Sequence, residues 1–193
     1  MINHPMSSKN STETHEETRR GRALFVDFDG VLHPSTAIQG LDTTLPLDVL
    51  SEKNGLFRWT HHLAELLTGH EDVMLFAHSS WRFTLSNTAM RQALGPLGMF
   101  FEGVTNPQQR QRMASIEETV QRADLGDYLV LDDARDEFTP GFEHLVLCNP
   151  LQGLSELDVR TKIAAFLERT RPTAALAYAQ AHRRIETDLI KEL

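Results

Sequence analysis

The chain has a single cysteine, no long apolar run and no excess of positive charge. Each of these absences excludes a common class of protein. Cys148 is its single cysteine, which excludes an internal disulfide and a cysteine-pair metal site. Its longest uncharged stretches, such as 73–81, are far too short to span a bilayer, and no signal-peptide core is visible. These absences predict a soluble protein of a reducing compartment, most simply the cytoplasm, with no membrane partner.

Negative charge exceeds positive charge: the sequence has 19 Lys and Arg residues and 27 Asp and Glu residues, for a net charge of −8. Tight binding to nucleic acid of any sequence needs a basic surface, so this balance argues against it but leaves room for a local basic groove. The 193 residues are 40% apolar and 24% charged, which is typical of one soluble globular domain.

The apolar pattern divides the chain into a disordered tail at 1–20, a catalytic domain at 21–170 and a C-terminal helix at 171–193. Within 21–170, predicted strands at 23–28, 73–78, 99–104, 128–131 and 145–148 alternate with predicted helices at 58–68, 84–94, 112–122 and 155–168. Ser155 is the predicted N-cap of the last of these helices. Such alternation predicts an α/β fold, a Rossmann-like three-layer sandwich with a mostly parallel central sheet of about five strands.

Polar side chains follow four of the predicted strands. In an open parallel sheet, ligands bind outside the C-terminal ends of the strands, so we expect these side chains to meet in one crevice. They are Asp27 and Asp29 after the first strand, Ser79 and Ser80 after the second, Arg110 and Arg112 after the third, and Asp132 and Asp133 after the fourth.

The Asp-x-Asp spacing has a chemical use, because residues two apart in an extended segment face the same side. One carboxylate of the pair Asp27 and Asp29 can attack phosphorus and form an acyl phosphate. The other can protonate the leaving oxygen and later deprotonate the attacking water. Four acidic side chains in one crevice repel each other strongly unless a hard cation such as Mg²⁺ lies among them.

Three segments resemble motifs of the haloacid dehalogenase (HAD) superfamily of phosphohydrolases. LFVDFDGVL at 24–32 resembles its first motif, HSSWR at 78–82 its second and YLVLDD at 128–133 its fourth, acidic motif. With the late pair Gly153-Leu154, the pattern over 22–168 is similar to the HAD domains of bacterial Swiss-army-knife RNA-repair proteins. The resemblance implies a HAD-like fold and a Mg²⁺-dependent phosphatase.

The resemblance also implies roles for individual residues. Asp27 is then the nucleophile and a metal ligand, and Asp29 is the general acid and base whose main-chain carbonyl also touches the metal. Asp132 and Asp133 complete the metal site, directly or through water. Ser79 binds the phosphoryl group.

One motif departs from the superfamily, which usually places a lysine in its third motif. This chain has no lysine between Lys53 and Lys162, so an arginine must take that role. Arg112, at the start of its predicted helix, is preferred as the catalytic cation, and Arg110 is the alternative. Ser80 and Arg110 are further candidates for binding the substrate.

The spacing between the motifs leaves no room for a substantial cap domain, because 31–57 is a short, loop-rich insert. An open crevice suits a large phosphoester, such as a phosphorylated nucleic-acid end or protein, that supplies its own lid. The C-terminal helix or a partner in a homodimer formed through that helix is another candidate lid. A different class also stays open, a catalytically idle HAD-like interaction or regulatory module, because of the arginine substitution and the long final helix.

Overall fold

The computed structural model describes residues 21–172. The strands are β1 Gly21–Val26, β2 Met74–Ala77, β3 Phe101–Val104, β4 Leu125–Asp132 and β5 Leu145–Leu147. The helices are α1 Leu47–Asn54, α2 Thr60–Leu67, α3 Asn87–Ala93, α4 Arg112–Arg122 and α5 Leu157–Arg169. The predicted tail at 1–20 and the predicted last helix, with its homodimer contact, lie outside the described residues.

The five strands form one sheet in the order β3-β2-β1-β4-β5, and every neighbouring pair is parallel. Both faces of β1 are covered, because Leu24 and Val26 belong to one apolar cluster and Ala23 and Phe25 to another. This double burial explains why β1 is a continuous apolar run rather than an alternating one. The predicted Rossmann-like α/β fold is therefore confirmed.

The segment between β1 and β2 differs from its prediction. Residues 31–57 contain α1, a helix of eight residues that the sequence pattern does not reveal. Pro46 precedes α1 and Gly55 ends it, and Leu50 is its one buried residue, so its apolar periodicity is weak. Leu50, Leu56 and Phe57 pack into the same apolar cluster as β1, so this insert lies on the domain itself.

Two further details of the prediction are wrong. Ser155 does not cap α5, because its hydroxyl donates to the carbonyl of Gln152 at 2.6 Å and the N-cap position belongs to Glu156. The third strand starts at Phe101 rather than at residue 99, because Gly95–Met99 forms a short 3₁₀ helix. Within residues 21–172, no helix has the length and apolarity needed to cross a bilayer.

Candidate active site

The candidate site lies at the C-terminal edge of the sheet, where β1 has β2 on one side and β4 on the other. Main-chain pairing continues one residue beyond the strands. The N–H of Asp27 donates to the carbonyl of Leu131 at 3.0 Å, and the N–H of His78 donates to the carbonyl of Val26 at 3.2 Å. This pairing fixes the backbone from which the functional side chains extend, so the side chains start next to one another.

Two buried carboxylates and one arginine form the centre of the site. Asp27 is 2% exposed and Asp132 is fully buried. Oδ1 of Asp27 accepts the N–H of Phe28 at 2.7 Å, and its Oδ2 accepts a hydrogen bond from Nη1 of Arg112. The same Nη1 donates to Oδ2 of Asp132 at 2.6 Å. Arg112 therefore bridges the two acids through one nitrogen, and among residues 21–172 its Nε and Nη2 have no hydrogen-bond partner.

Arg112 is held in place by its helix. Arg112 is the first residue of α4, where the positive end of the helix dipole disfavours a cation, so other contacts must hold it beside the acids. The hydroxyl of Ser115, one turn later, donates to the carbonyl of Arg112 at 2.8 Å, and its oxygen lies 3.2 Å from Oγ1 of Thr105. The N–H of Thr105 donates to the carbonyl of Ala77 at 2.9 Å. These bonds tie the start of α4 to the end of β2, which brings the arginine to the acids.

The three carboxyl groups of the site can carry more negative charge than one arginine neutralises. Burial acts against the charge of Arg112, but Asp27 and Asp132 outweigh it and raise the pKa of the guanidinium. Burial also acts to raise the pKa of Asp132, yet the hydrogen bond and charge of His78 and the charge of Arg112 hold that pKa below its ordinary value. The pKa of Asp133 is raised to about 6, first by burial and then by the negative charges of Asp27 and Asp132.

His78 belongs to the site although sequence reasoning did not single it out. Its Nε2 lies 2.8 Å from Oδ2 of Asp132, and its side chain is fully buried. One ligand atom each from Asp27, His78 and Asp132 lies within 4.8 Å of the others. Among the described residues, Nδ1 of His78 has no hydrogen-bond partner. The sequence signal for His78 is its place directly after β2, one residue before Ser79.

Asp29 is held separately, by two donors. Its Oδ1 accepts a hydrogen bond from Nε1 of Trp81 at 2.9 Å and lies 3.0 Å from Nε2 of His33. Asp29 is therefore beside the cluster of Asp27, His78 and Asp132 rather than a member of it.

Two glycines shape the turn after the first motif. Gly30 has φ +73°, and a Cβ at this position would lie 2.2 Å from Oδ2 of Asp133, so the carboxylate packs directly on the glycine. Gly153 has φ +45°, and a Cβ there would lie 2.4 Å from the carbonyl of Val31. The N–H of Leu154 donates to that carbonyl at 3.0 Å. The Gly-Leu pair thus supports the turn that carries the acids.

The other predicted substrate-binding residues lie around this centre. Ser79 is fully buried, and its hydroxyl accepts a long hydrogen bond of 3.5 Å from the N–H of Trp81, at the start of the 3₁₀ helix Ser80–Phe83. Ser80 and Arg110 are exposed. Of the two candidate arginines, Arg112 is the one that contacts the acids.

Arg82 braces the loop after β2. It is 5% exposed and donates to the carbonyls of His78 and Ser79, the latter at 2.9 Å. It also reaches the carbonyl of Gln109 at 3.3 Å, which links this loop to the one before α4. Burial and the charge of Arg112 lower the pKa of Arg82.

With this geometry established, comparison with known proteins identifies the family. The family model for the HAD domain in Swiss Army Knife RNA repair proteins matches residues 23–159. The chain belongs to this family. Among solved structures, the HAD domain is similar to a haloacid dehalogenase-like hydrolase from Streptococcus pneumoniae, with 15% identity, a TM-score of 0.41, and coverage of 76% of this chain and 91% of that one. A search of the curated proteins finds no match.

The side chains of the HAD domain fit the Mg²⁺ that its family implies. Mg²⁺ prefers carboxylate oxygens, and Asp27 and Asp132 bring such oxygens close together. Asp133 adds a third carboxylate, whose pKa is raised first by burial and then by the negative charges of Asp27 and Asp132. Asp27 and Asp132 are therefore the side chains that would hold the ion, and Nε2 of His78 is already engaged with Asp132. A contribution of Asp133, directly or through water, stays a prediction.

Proposed function

We propose that this HAD domain is a Mg²⁺-dependent phosphohydrolase that works through an aspartyl-phosphate on Asp27. The observation that carries the proposal is the pair of buried carboxylates, Asp27 and Asp132, bridged by Arg112 at the C-terminal edge of the sheet. An acidic pair that only formed turns would not need a partly buried cation between its members.

The protein residues supply each part of the proposed reaction. A carboxylate oxygen of Asp27 attacks phosphorus, the bond from phosphorus to the leaving oxygen breaks, and Asp29 donates a proton to that oxygen. Water then attacks the phosphorus of the acyl phosphate, Asp29 takes its proton, and Asp27 is released as a carboxylate. Bound Mg²⁺ would supply positive charge to the phosphoryl oxygens.

Arg112 and Ser79 are proposed to bind the transferring group. The Nε and Nη2 atoms of Arg112 have no partner among residues 21–172, so they are free to donate to phosphoryl oxygens. The hydroxyl of Ser79 makes only a long bond within its own loop. Positive charge and donors aimed at the transferring group stabilise its transition state.

The proposed substrate is a large phosphoester, and a nucleic-acid terminal phosphate is the leading candidate. Two observations support it: the insert at 31–57 packs on the domain rather than forming a separate cap, and the family is described by its place in RNA repair proteins. The net charge of −8 works against broad nucleic-acid affinity, so recognition would centre on the phosphorylated end.

A phosphatase panel tests both parts of the proposal. The purified protein is assayed with Mg²⁺ and with EDTA on phenyl phosphate, on small phosphometabolites, and on oligonucleotides phosphorylated at the 3′ or 5′ end. We expect Mg²⁺-dependent turnover that is fastest on one of the oligonucleotides. The Asp27→Asn protein, which keeps the side-chain volume, is the matched control and should lose at least about a thousandfold in turnover.

The outcomes separate the candidate functions. Turnover of small phosphometabolites without turnover of either oligonucleotide would reject the nucleic-acid substrate and keep the phosphatase. Retained activity in a cleanly purified Asp27→Asn protein would reject the mechanism. No turnover of any ester, together with no Mg²⁺-dependent shift in melting temperature, would favour the idle interaction module.

A further inference from the structure

The carboxylate of Asp29 is oriented by two side chains that both contact one of its oxygens. Oδ1 lies 2.9 Å from Nε1 of Trp81 and 3.0 Å from Nε2 of His33. Among residues 21–172, Oδ2 accepts no hydrogen bond. The indole N–H of Trp81 is a donor in every state, so Oδ1 is engaged whether or not Asp29 carries a proton.

The main chain fixes the tautomer of His33. Nδ1 of His33 accepts the N–H of Phe57 at 3.2 Å, so this nitrogen holds a lone pair and no proton. The ring proton must then be on Nε2, which faces Asp29. His33 is therefore a neutral imidazole that donates to Oδ1 of Asp29, a carboxylate-imidazole pair oriented from the far side by the backbone.

The segment that supplies this N–H adopts a strained conformation. Phe57 has φ +57°, which is uncommon for a residue with a side chain. Its ring centroid lies 5.3 Å from that of Phe28, 5.4 Å from His33 and 5.8 Å from Trp81. Strain of this kind persists where surrounding contacts enforce it, and it is concentrated at functional sites.

We infer that His33 and Trp81 are positioning residues that turn Oδ2 of Asp29 toward the leaving oxygen, with Phe57 orienting His33. This inference rests on the proposed phosphohydrolase function. Because Oδ1 is engaged by two donors, Oδ2 is the oxygen that carries the proton to and from the substrate. The insert at 31–57 contains Phe57, so its role would be to orient Asp29 for proton transfer, through His33, rather than to cover the crevice.

The test measures how strongly turnover depends on the leaving group. A misaligned acid slows esters with poor leaving groups, which need the proton, far more than esters with acidic phenols, which leave without it. The full-length protein with Mg²⁺ is assayed for kcat/KM, which reports on the first phosphoryl transfer, using phenyl phosphate and 2,4-dinitrophenyl phosphate. The principal variant is Trp81→Phe, which keeps an aromatic ring and removes the N–H donor.

We expect Trp81→Phe to lower kcat/KM on phenyl phosphate about 10- to 100-fold and on 2,4-dinitrophenyl phosphate by less than about twofold. His33→Leu should give the same pattern, and His33→Gln, whose amide can donate to Asp29, should restore most of the loss. Trp59→Phe is the matched control, because Trp59 is a buried core residue. It should change both esters by the same small factor.

Two results would overturn the inference. An equal loss on both esters in Trp81→Phe would mean that Trp81 acts only on the structure of the loop, and an unchanged phenyl phosphate rate would mean that it does not position Asp29. Either result leaves the phosphohydrolase function standing, since the wild-type protein still turns over both esters. A wild-type protein that turns over no ester of the phosphatase panel, the phosphorylated oligonucleotides included, would remove the proposed function and this inference with it.

Discussion

The two edges of the sheet each hold an arginine in contact with carboxylate, and they differ in how completely it is bonded. At the N-terminal edge, Arg22 of β1 is 4% exposed and makes a bidentate pair with Asp72, at 2.6 and 2.8 Å. It also donates to the carbonyl of Leu167, to Oγ1 of Thr170 and to Nδ1 of His70. Each of the five N–H donors of the Arg22 guanidinium therefore has a hydrogen-bond partner.

Arg112, at the C-terminal edge, is bonded much less completely. One nitrogen of its guanidinium bridges Asp27 and Asp132, and the rest of the group has no partner among residues 21–172. Around it lie an acid with a raised pKa, Asp133, and a histidine nitrogen without a partner in the described chain, Nδ1 of His78. The contrast teaches that the saturated cluster joins strands to helices, whereas the unsaturated one keeps donors and negative charge unpaired, as the proposed binding of a phosphoryl group and Mg²⁺ requires.

Removal of Arg112 gives the largest expected effect. We expect Arg112→Ala to lower kcat about 10²- to 10³-fold, because the charge on the transferring group loses its donor. With Mg²⁺ present, its free energy of unfolding should fall by less than about 1 kcal/mol, because the acids still have a cation. Steady-state kinetics and urea denaturation measure the two quantities.

The control for Arg112→Ala is Arg122→Ala, at the exposed far end of the same helix, which should change neither quantity. A near-normal kcat in Arg112→Ala would mean that Arg112, like Arg22, has only a structural role. The two edges of the sheet would then not differ in function.

Removal of Arg22 should have the opposite profile. We expect Arg22→Ala to lower the free energy of unfolding by about 3 kcal/mol, because it leaves a partly buried Asp72 and a main-chain carbonyl unpaired. The melting temperature should then fall by about 6–12 °C. The kcat of the folded fraction should stay within about twofold of wild type, since Arg22 is at the other end of the strand. A selective loss of kcat at unchanged stability would contradict this assignment.

The smallest effect concerns the unneutralised charge at Asp133. Its pKa in the folded protein, about 6, lies above its ordinary value of 3.8, so its ionisation opposes folding. The stability that this group contributes is present below pH 3.8 and is lost as the pH rises through about 6. In EDTA, Asp133→Asn should therefore stabilise the protein at pH 8, by on the order of 1 kcal/mol after allowance for solvent screening, and should not do so at pH 3.5. Melting curves at the two pH values measure the difference.

Addition of Mg²⁺ sharpens this prediction. The ion should stabilise the wild-type protein at pH 8 more than the Asp133→Asn protein, because the wild type has one more carboxylate to neutralise. If Mg²⁺ stabilised both proteins equally, Asp133 would not interact with the ion.

Local sequence features predicted much of this site. A buried apolar run followed by Asp27 predicted both the strand and the place of Asp27 in the candidate site, because strand ends meet at one edge of a parallel sheet. The helix that starts at Arg112 was predicted with its observed bounds, since its apolar residues recur at helical spacing. These features depend on neighbours in the sequence, which is why they are readable there.

The parts that escaped prediction depend on distant partners. The tautomer of His33 is set by Phe57, 24 residues away, and the bond from His78 to Asp132 spans 54 residues. Helix α1 has weak periodicity because it buries little, and the choice between Arg112 and Arg110 required the geometry of the acids. No local pattern encodes such contacts.

Chemical trapping of the intermediate tests the proposed mechanism most directly. The wild-type protein is mixed with phenyl phosphate and Mg²⁺, quenched with sodium borohydride, which reduces an acyl phosphate to an alcohol, and digested for mass spectrometry. We expect homoserine at position 27, formed only when substrate and Mg²⁺ are both present. Turnover of the ester with Asp27 unmodified, or with the reduced residue at another acid, would contradict an aspartyl-phosphate on Asp27.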